Sequence, residues 1–109
     1  MKVTSENDIK CILLPSKFDT VTSMEIEAGF MDSIKDGTNK ILCDFSNTEY
    51  ISSFGLRIIL SLAKKLQRAG GQIVLSSMSP SILGVFKVSG FDKIFKIYET
   101  KELALKSLS

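Results

Sequence analysis

Four short apolar runs constrain this chain more than any other feature: IKCILLP at 9–15, NKILCDF at 39–45, QIVLS at 72–76 and KIFKIY at 93–98. Each reads as a buried strand bounded by turn residues. Pro15 ends the first, because proline cannot continue a central ladder. Residues 2–4 add a short strand, turned back on the first by Glu6, Asn7 and Asp8. Helical patterns lie between the runs. The first, capped by Asp19 or Thr20, carries Val21, Met24, Ala28 and Met31 as its apolar stripe, with Glu25, Glu27 and Asp32 toward water. The second begins at Ser53 and aligns Leu56, Ile59, Leu62 or Ala63, and Leu66; Gly70-Gly71 stops it. Ser79-Pro80 opens a third, which Gly90 ends. Residues 100–108 form a terminal helix with Thr100 as cap and Leu103, Leu105 and Leu108 available for packing. Strand and helix alternate after the opening hairpin, so the expectation is an α/β fold with a mostly parallel sheet.

Composition narrows the function classes. A chain of 109 residues, 44% hydrophobic and 24% charged, suits one compact domain spanning 1–109 with an ordinary core. The net charge of +2 shows no basic face, which argues against a nucleic-acid partner. No apolar run approaches the ~20 residues of a membrane span, and MKVTSENDIK lacks the apolar centre of a signal peptide. A cytoplasmic location is expected. Cys11 and Cys43 both sit inside apolar strands and read as buried free thiols. With no histidine in the chain, a Ser-His-Asp triad, a Cys-His pair and a His-ligated zinc site are impossible within it. No metal or cofactor is expected.

In parallel sheets, functional groups gather in loops beyond the carboxyl ends of the strands. One such loop holds Ser52 and Ser53, where it turns into the second helix; another holds Ser16, Phe18 and Asp19. Two readings of the serines stand side by side. A serine at a helix start is a good cap, although Gly55 and Leu56 occupy the places where a capping box needs Glu or Gln. Alternatively, the partial positive charge of the helix terminus accepts a phosphate on Ser53, with Arg57 one turn later as a charged donor. Such a group adds about −2 charges to a surface that Phe54 makes partly apolar, and so breaks a partner's contact without refolding. Gly55 lets another backbone approach closely. A nucleophilic serine lacks a base. A nucleotide or small-molecule crevice near Asp19 has no glycine-rich phosphate loop to support it.

The segment from Asp44-Phe45 through Tyr50-Ile51, Ser52-Ser53-Phe54-Gly55-Leu56, Gly70-Gly71, Ser79-Pro80 and Gly90-Phe91 to Ile94-Phe95 resembles the STAS domain (sulfate transporter and anti-sigma factor antagonist). It is most similar to the stand-alone bacterial anti-anti-sigma factors, with residues 41–98 the specific part. The resemblance implies a sheet of four or five strands with an N-terminal hairpin and about four helices. It implies a non-enzymatic antagonist that binds an anti-sigma factor, itself often a serine kinase, and thereby frees a sigma factor for transcription. The kinase phosphorylates Ser53, with Ser52 the second choice; a PP2C-type phosphatase reverses this. Partner contacts are expected at Asp19, Thr20, Asp44, Ser52, Ser53, Phe54, Gly55 and Arg57. Ser52 stands where the family has an acidic residue, and Phe54 where it has a small one. The alternative is a phosphorylation-independent scaffold, a partner subunit in a signalling or lipid-transport complex. The expected oligomeric state is a monomer or weak dimer.

Overall fold

The computed structural model describes residues 2–109. A hairpin opens it: β1 (Lys2–Glu6) runs antiparallel to β2 (Ile9–Leu13). Asn7 and Asp8 form the two-residue turn, both with positive φ (51° and 66°), the conformation that matches the twist of a hairpin and that Asn and Asp tolerate. There follow β3 (Lys17–Phe18), α1 (Thr20–Lys35), β4 (Lys40–Asp44), β5 (Tyr50–Ile51), α2 (Ser53–Arg68), β6 (Gln72–Ser76), α3 (Pro80–Ser89), β7 (Lys96–Tyr98) and α4 (Lys101–Leu108). The five-stranded sheet has the order β1-β2-β4-β6-β7, and every pairing after the hairpin is parallel. The expected α/β architecture and the four helices are present.

The two faces of the sheet are covered unequally. Alternate strand residues Ile12, Ile41, Cys43, Ile73 and Leu75 pack with Ile26 and Phe30 of α1, Ile59, Leu62 and Leu66 of α2, and Ile82 and Phe86 of α3. Their neighbours Ile9, Cys11, Leu42 and Val74 face α4, through Ala104 and Leu108. Strands buried on both faces read as continuous apolar runs for this reason. Phe86 adds edge-on contacts to Phe45, Phe91 and Phe95, with ring centroids 5.7–6.4 Å apart, a favourable aromatic geometry.

Three expectations need correction. The buried face of α1 is Ser23, Ile26, Phe30 and Ser33, while Val21 and Met24 are 76% and 72% exposed. The spacing is that of the expected stripe, rotated by two residues, or about 200°. Burying the larger Phe30 outweighs burying Met24. Both buried serines satisfy their hydroxyls on the helix itself: Ser23 Oγ donates to Asp19 O and Ser33 Oγ to Gly29 O, so neither carries an unpaired polar group inward. The last strand begins at Lys96, not Lys93, because Phe91–Lys93 coil into a 3-10 turn that brings Phe95 into the core. In α4, Ala104 and Leu108 are buried and Leu103 is half exposed.

Candidate functional site

The site rests on a short ladder that the sequence did not reveal. Lys17 and Phe18 of β3 pair in parallel with Tyr50 and Ile51 of β5. Around it, the Glu49 and Tyr50 N–H groups donate to Ser16 O (2.8 and 3.1 Å), and Thr48 Oγ1 donates to Pro15 O (2.9 Å). The Ser52 N–H donates to Phe18 O (2.9 Å). The loops after β2 and β4 are thereby joined, and the starts of α1 and α2 are brought together.

Within this frame the two serines differ. Ser52 is the N-cap of α2: its backbone is extended, it is half-buried, and its Oγ accepts from Gly55 N at 3.0 Å. Ser53 is the first helical residue and is exposed; its hydroxyl has no hydrogen-bond partner among the described residues. A first-turn position leaves its own N–H and that of Phe54 without intrahelical acceptors. An aspartate at position 52 would cap equally well, so the serine there keeps the local geometry and removes one negative charge.

Gly55 meets the expectation of a close backbone approach. A Cβ there would lie 2.7 Å from Phe18 O and 2.9 Å from Phe18 Cδ1. The glycine is what lets α2 start against β3. Arg57 is exposed, with its guanidinium carbon 6.0 Å from the centroid of the half-buried Phe54 ring, a cation–π distance.

Asp19 caps α1. Its Oδ1 accepts from the Val21 and Thr22 N–H groups (both 3.1 Å), and Asp19 N donates to Thr22 Oγ1 (3.0 Å). Hydrogen bonding from Thr22 N–H, chiefly, holds the carboxyl below its ordinary value of 3.8, since these donors favour the charged form. Thr20 is the exposed first residue of the helix. Asp44 is not brought to this group. It ends β4 on the face toward α4, where it lines a cleft of about 180 Å³ with Lys2, Thr4, Cys11, Leu13 and Lys101. Its Oδ1 accepts from Ser46 N at 2.9 Å, a turn-stabilising bond.

Several residues at the margin escape a reading by motif. Val21 and Met24, in the first two turns of α1, are exposed, as is Tyr50 beside Ile51. Leu56, one residue past Gly55, lines an open apolar shelf with Ser81, Gly84, Val85 and Val88 of α3. Apolar side chains at a capped helix start are the signal for such a margin, but Val21 and Met24 also fit the spacing of a core stripe, which hides it in the sequence.

The cysteines have no part in this chemistry. Cys11 faces α4 and Cys43 the opposite layer, so the sheet separates them. Burial raises both thiols, that of Cys43 to about 12. Among the described residues, no group of three or more His, Cys, Asp or Glu could hold a metal, and no helix is long and apolar enough to cross a membrane.

A sheet with this order, an N-terminal hairpin and a capped serine pair at the start of α2 defines a STAS-type domain, and the STAS family model matches residues 1–104. The chain belongs to the STAS domain family. It is 33% identical over 86 residues to BtrV of Bordetella bronchiseptica, provisionally named an anti-sigma factor antagonist; the match covers 79% of this chain and 74% of that protein. The crystal structure of a Thermotoga maritima protein, also provisionally named an anti-sigma factor antagonist, superposes with a TM-score of 0.89 at 26% identity, covering 97% of this chain and 92% of that one. The phosphorylated form of SpoIIAA, a Bacillus cell fate determinant, shares the fold with a TM-score of 0.78 at 22% identity, covering 99% and 98% of the two chains.

Proposed function

We propose that this chain is a cytoplasmic, non-enzymatic anti-sigma factor antagonist, a single domain whose binding to its partner is switched off by phosphorylation of Ser53. The observation that carries the reading is the division between the serines. Ser52 Oγ is engaged by Gly55 N–H, whereas Ser53 stands exposed on the first turn with a free hydroxyl. A protein kinase needs an accessible hydroxyl, and only the second serine offers one without uncapping α2. The relatives' names, which make them anti-sigma factor antagonists, supply the partner class.

The docking surface in this reading is the start of α2 with the β3–β5 ladder and the first turns of α1. Phe54, Tyr50, Val21 and Met24 give it apolar area, and Asp19, Thr20 and Arg57 a polar margin. A phosphate of about −2 charge on Ser53 resists desolvation among such groups. It is itself tolerated by the helix terminus, whose first N–H groups point toward it. Arg57 then leaves the Phe54 ring for the phosphate, since a charge-assisted pair is stronger than an exposed cation–π contact. The partner that adds the phosphate is an anti-sigma factor with serine kinase activity, and a PP2C-type phosphatase removes it.

The test has two arms. Incubation with ATP and the cognate kinase should add a single phosphoryl group by intact mass, abolished in Ser53→Ala and retained in Ser52→Ala. In a titration against the anti-sigma partner, Ser53→Ala should bind as the parent does and Ser53→Asp more weakly. Phosphorylation on Ser52 instead, or equal affinities of the two Ser53 variants, would sink the switch. Absence of phosphoryl transfer with undiminished partner binding would assign the chain to the scaffold role.

A further inference from the structure

The free edge of β1 is self-complementary, and we propose that it pairs with β1 of a second copy across a two-fold axis, joining two sheets into one. This inference is independent of the Ser53 switch. The sheet order leaves β1 with a neighbour on one side only among the described residues. All five of its residues are exposed, Val3 at 40%. The strand is regular: five successive pairs with β2 contain no bulge, and it holds no proline. Bulges and prolines are usual devices for blunting an edge.

The hairpin decides which backbone groups are available. In a two-residue hairpin the flanking residues, here Glu6 and Ile9, exchange both hydrogen bonds, and the pattern then alternates. Lys2, Thr4 and Glu6 therefore bond inward to β2, while Val3 and Ser5 direct N–H and C=O outward. A second β1 laid antiparallel on this edge satisfies the outward groups of both residues in both copies, within the two strands themselves, when Val3 of one copy faces Ser5 of the other. That register places Thr4 opposite Thr4 on the axis, and Lys2 opposite Glu6 at both ends. Residues opposite one another share a face, so both ion pairs fall on the α4 side. There Lys101 Nζ already lies 3.4 Å from Glu6 Oε1. Among the two-fold registers the outward groups allow, this one uses Val3 and Ser5 of both copies and sets Lys2 against Glu6 at both ends, and the symmetry is the self-matching kind typical of dimers. Opposite charges and Thr–Thr neighbours both stabilise cross-strand pairs. The contact is short, which makes it a weak interface of the small class.

Sedimentation of the full chain from about 10 μM to about 1 mM reads an association of this class. The parent should show concentration-dependent dimer. Lys2→Glu and Glu6→Lys each set like charges at both ends and should weaken it at least about tenfold. The double variant Lys2→Glu/Glu6→Lys should recover dimerisation. That recovery cannot come from the Lys101 pair, which the Glu6 change removes in both proteins. An equimolar mixture of the two single variants should form heterodimer in preference to either homodimer. Ser5→Pro removes an outward donor while leaving the hairpin bonds, and should abolish dimer with the circular dichroism spectrum unchanged. A parent that stays monomeric across the range overturns the proposal. So does a dimer indifferent to charge reversal, which would place the contact elsewhere, or a mixture without heterodimer.

Discussion

Ser52 and Gly55 show how two small side chains build the start of α2. Ser52 satisfies one of the helix's orphan donors through Gly55 N–H. Its replacement by alanine should lower stability by ~1 kcal/mol, read as a shift in the urea midpoint at constant slope. Gly55→Ala presents a sharper case. Helix propensity alone favours alanine by ~1 kcal/mol. The added Cβ, however, would sit 2.7 Å from a backbone carbonyl, that of Phe18, which the β3–β5 ladder holds in place. Overpacking of this kind costs ~1–3 kcal/mol. The variant should therefore be destabilised, and a gain in Tm would contradict the close approach. Asp19 couples the same region to pH. Its folded carboxyl titrates below the ordinary 3.8, so its contribution is complete above that value and is lost as pH falls through the lowered folded one. Asp19→Asn keeps a capping oxygen and should flatten this part of the acid limb.

At the level of elements, α1 is where polarity patterning and packing part company. Two stripes of equal spacing compete for the sheet, and the winner carries Ile26 and Phe30 together with two self-bonded serines. Ile26→Ala should cost ~2–5 kcal/mol. Met24→Ser, on the exposed stripe, should stay within about ±0.5 kcal/mol. If Met24 lies on the docking surface, the same variant should weaken partner binding while the melting curve stays put. The second helix was easier to read, because its polar and apolar residues segregate fully: Ile59, Leu62, Ala63 and Leu66 are buried, and Lys64, Lys65 and Arg68 are exposed. β3 was invisible as a strand. Two residues carry no period, and Lys17-Phe18 becomes a ladder only because β5 lies beside it.

Across the whole molecule, the sheet acts as a partition. Cys11 and Cys43 lie on opposite faces of adjacent strands, β2 and β4. A side chain cannot cross a sheet, so no disulfide links them without unfolding. In native protein the Cys43 thiol, pushed up to about 12 by burial, should resist a thiol reagent at neutral pH, because the thiolate is the reactive form. Both thiols should react once denaturant is added. The same partition separates Asp44 from the serine site. Motif spacing puts Asp44 at the end of the strand leading to the site, and strand alternation then turns its side chain to the α4 face.

What the amino-acid order alone determined is whatever depends on local periodicity and terminal chemistry. The alternation of strand and helix, the hairpin, the caps at Ser79 and Thr100 and the stop at Gly90 are of this kind, because each is settled within a few residues, whereas the choice of Asp19 over Thr20 as the cap of α1 was not. Tertiary structure decided the rest. Which stripe of α1 faces inward, which of two adjacent serines keeps a free hydroxyl, and which face of the sheet receives Asp44 all depend on groups distant in the chain. Phe18 meeting Gly55, and β5 meeting β3, have no local signature. The physical reason is that burial and hydrogen-bond satisfaction are properties of neighbours in space, and a single strand or helix does not specify its neighbours.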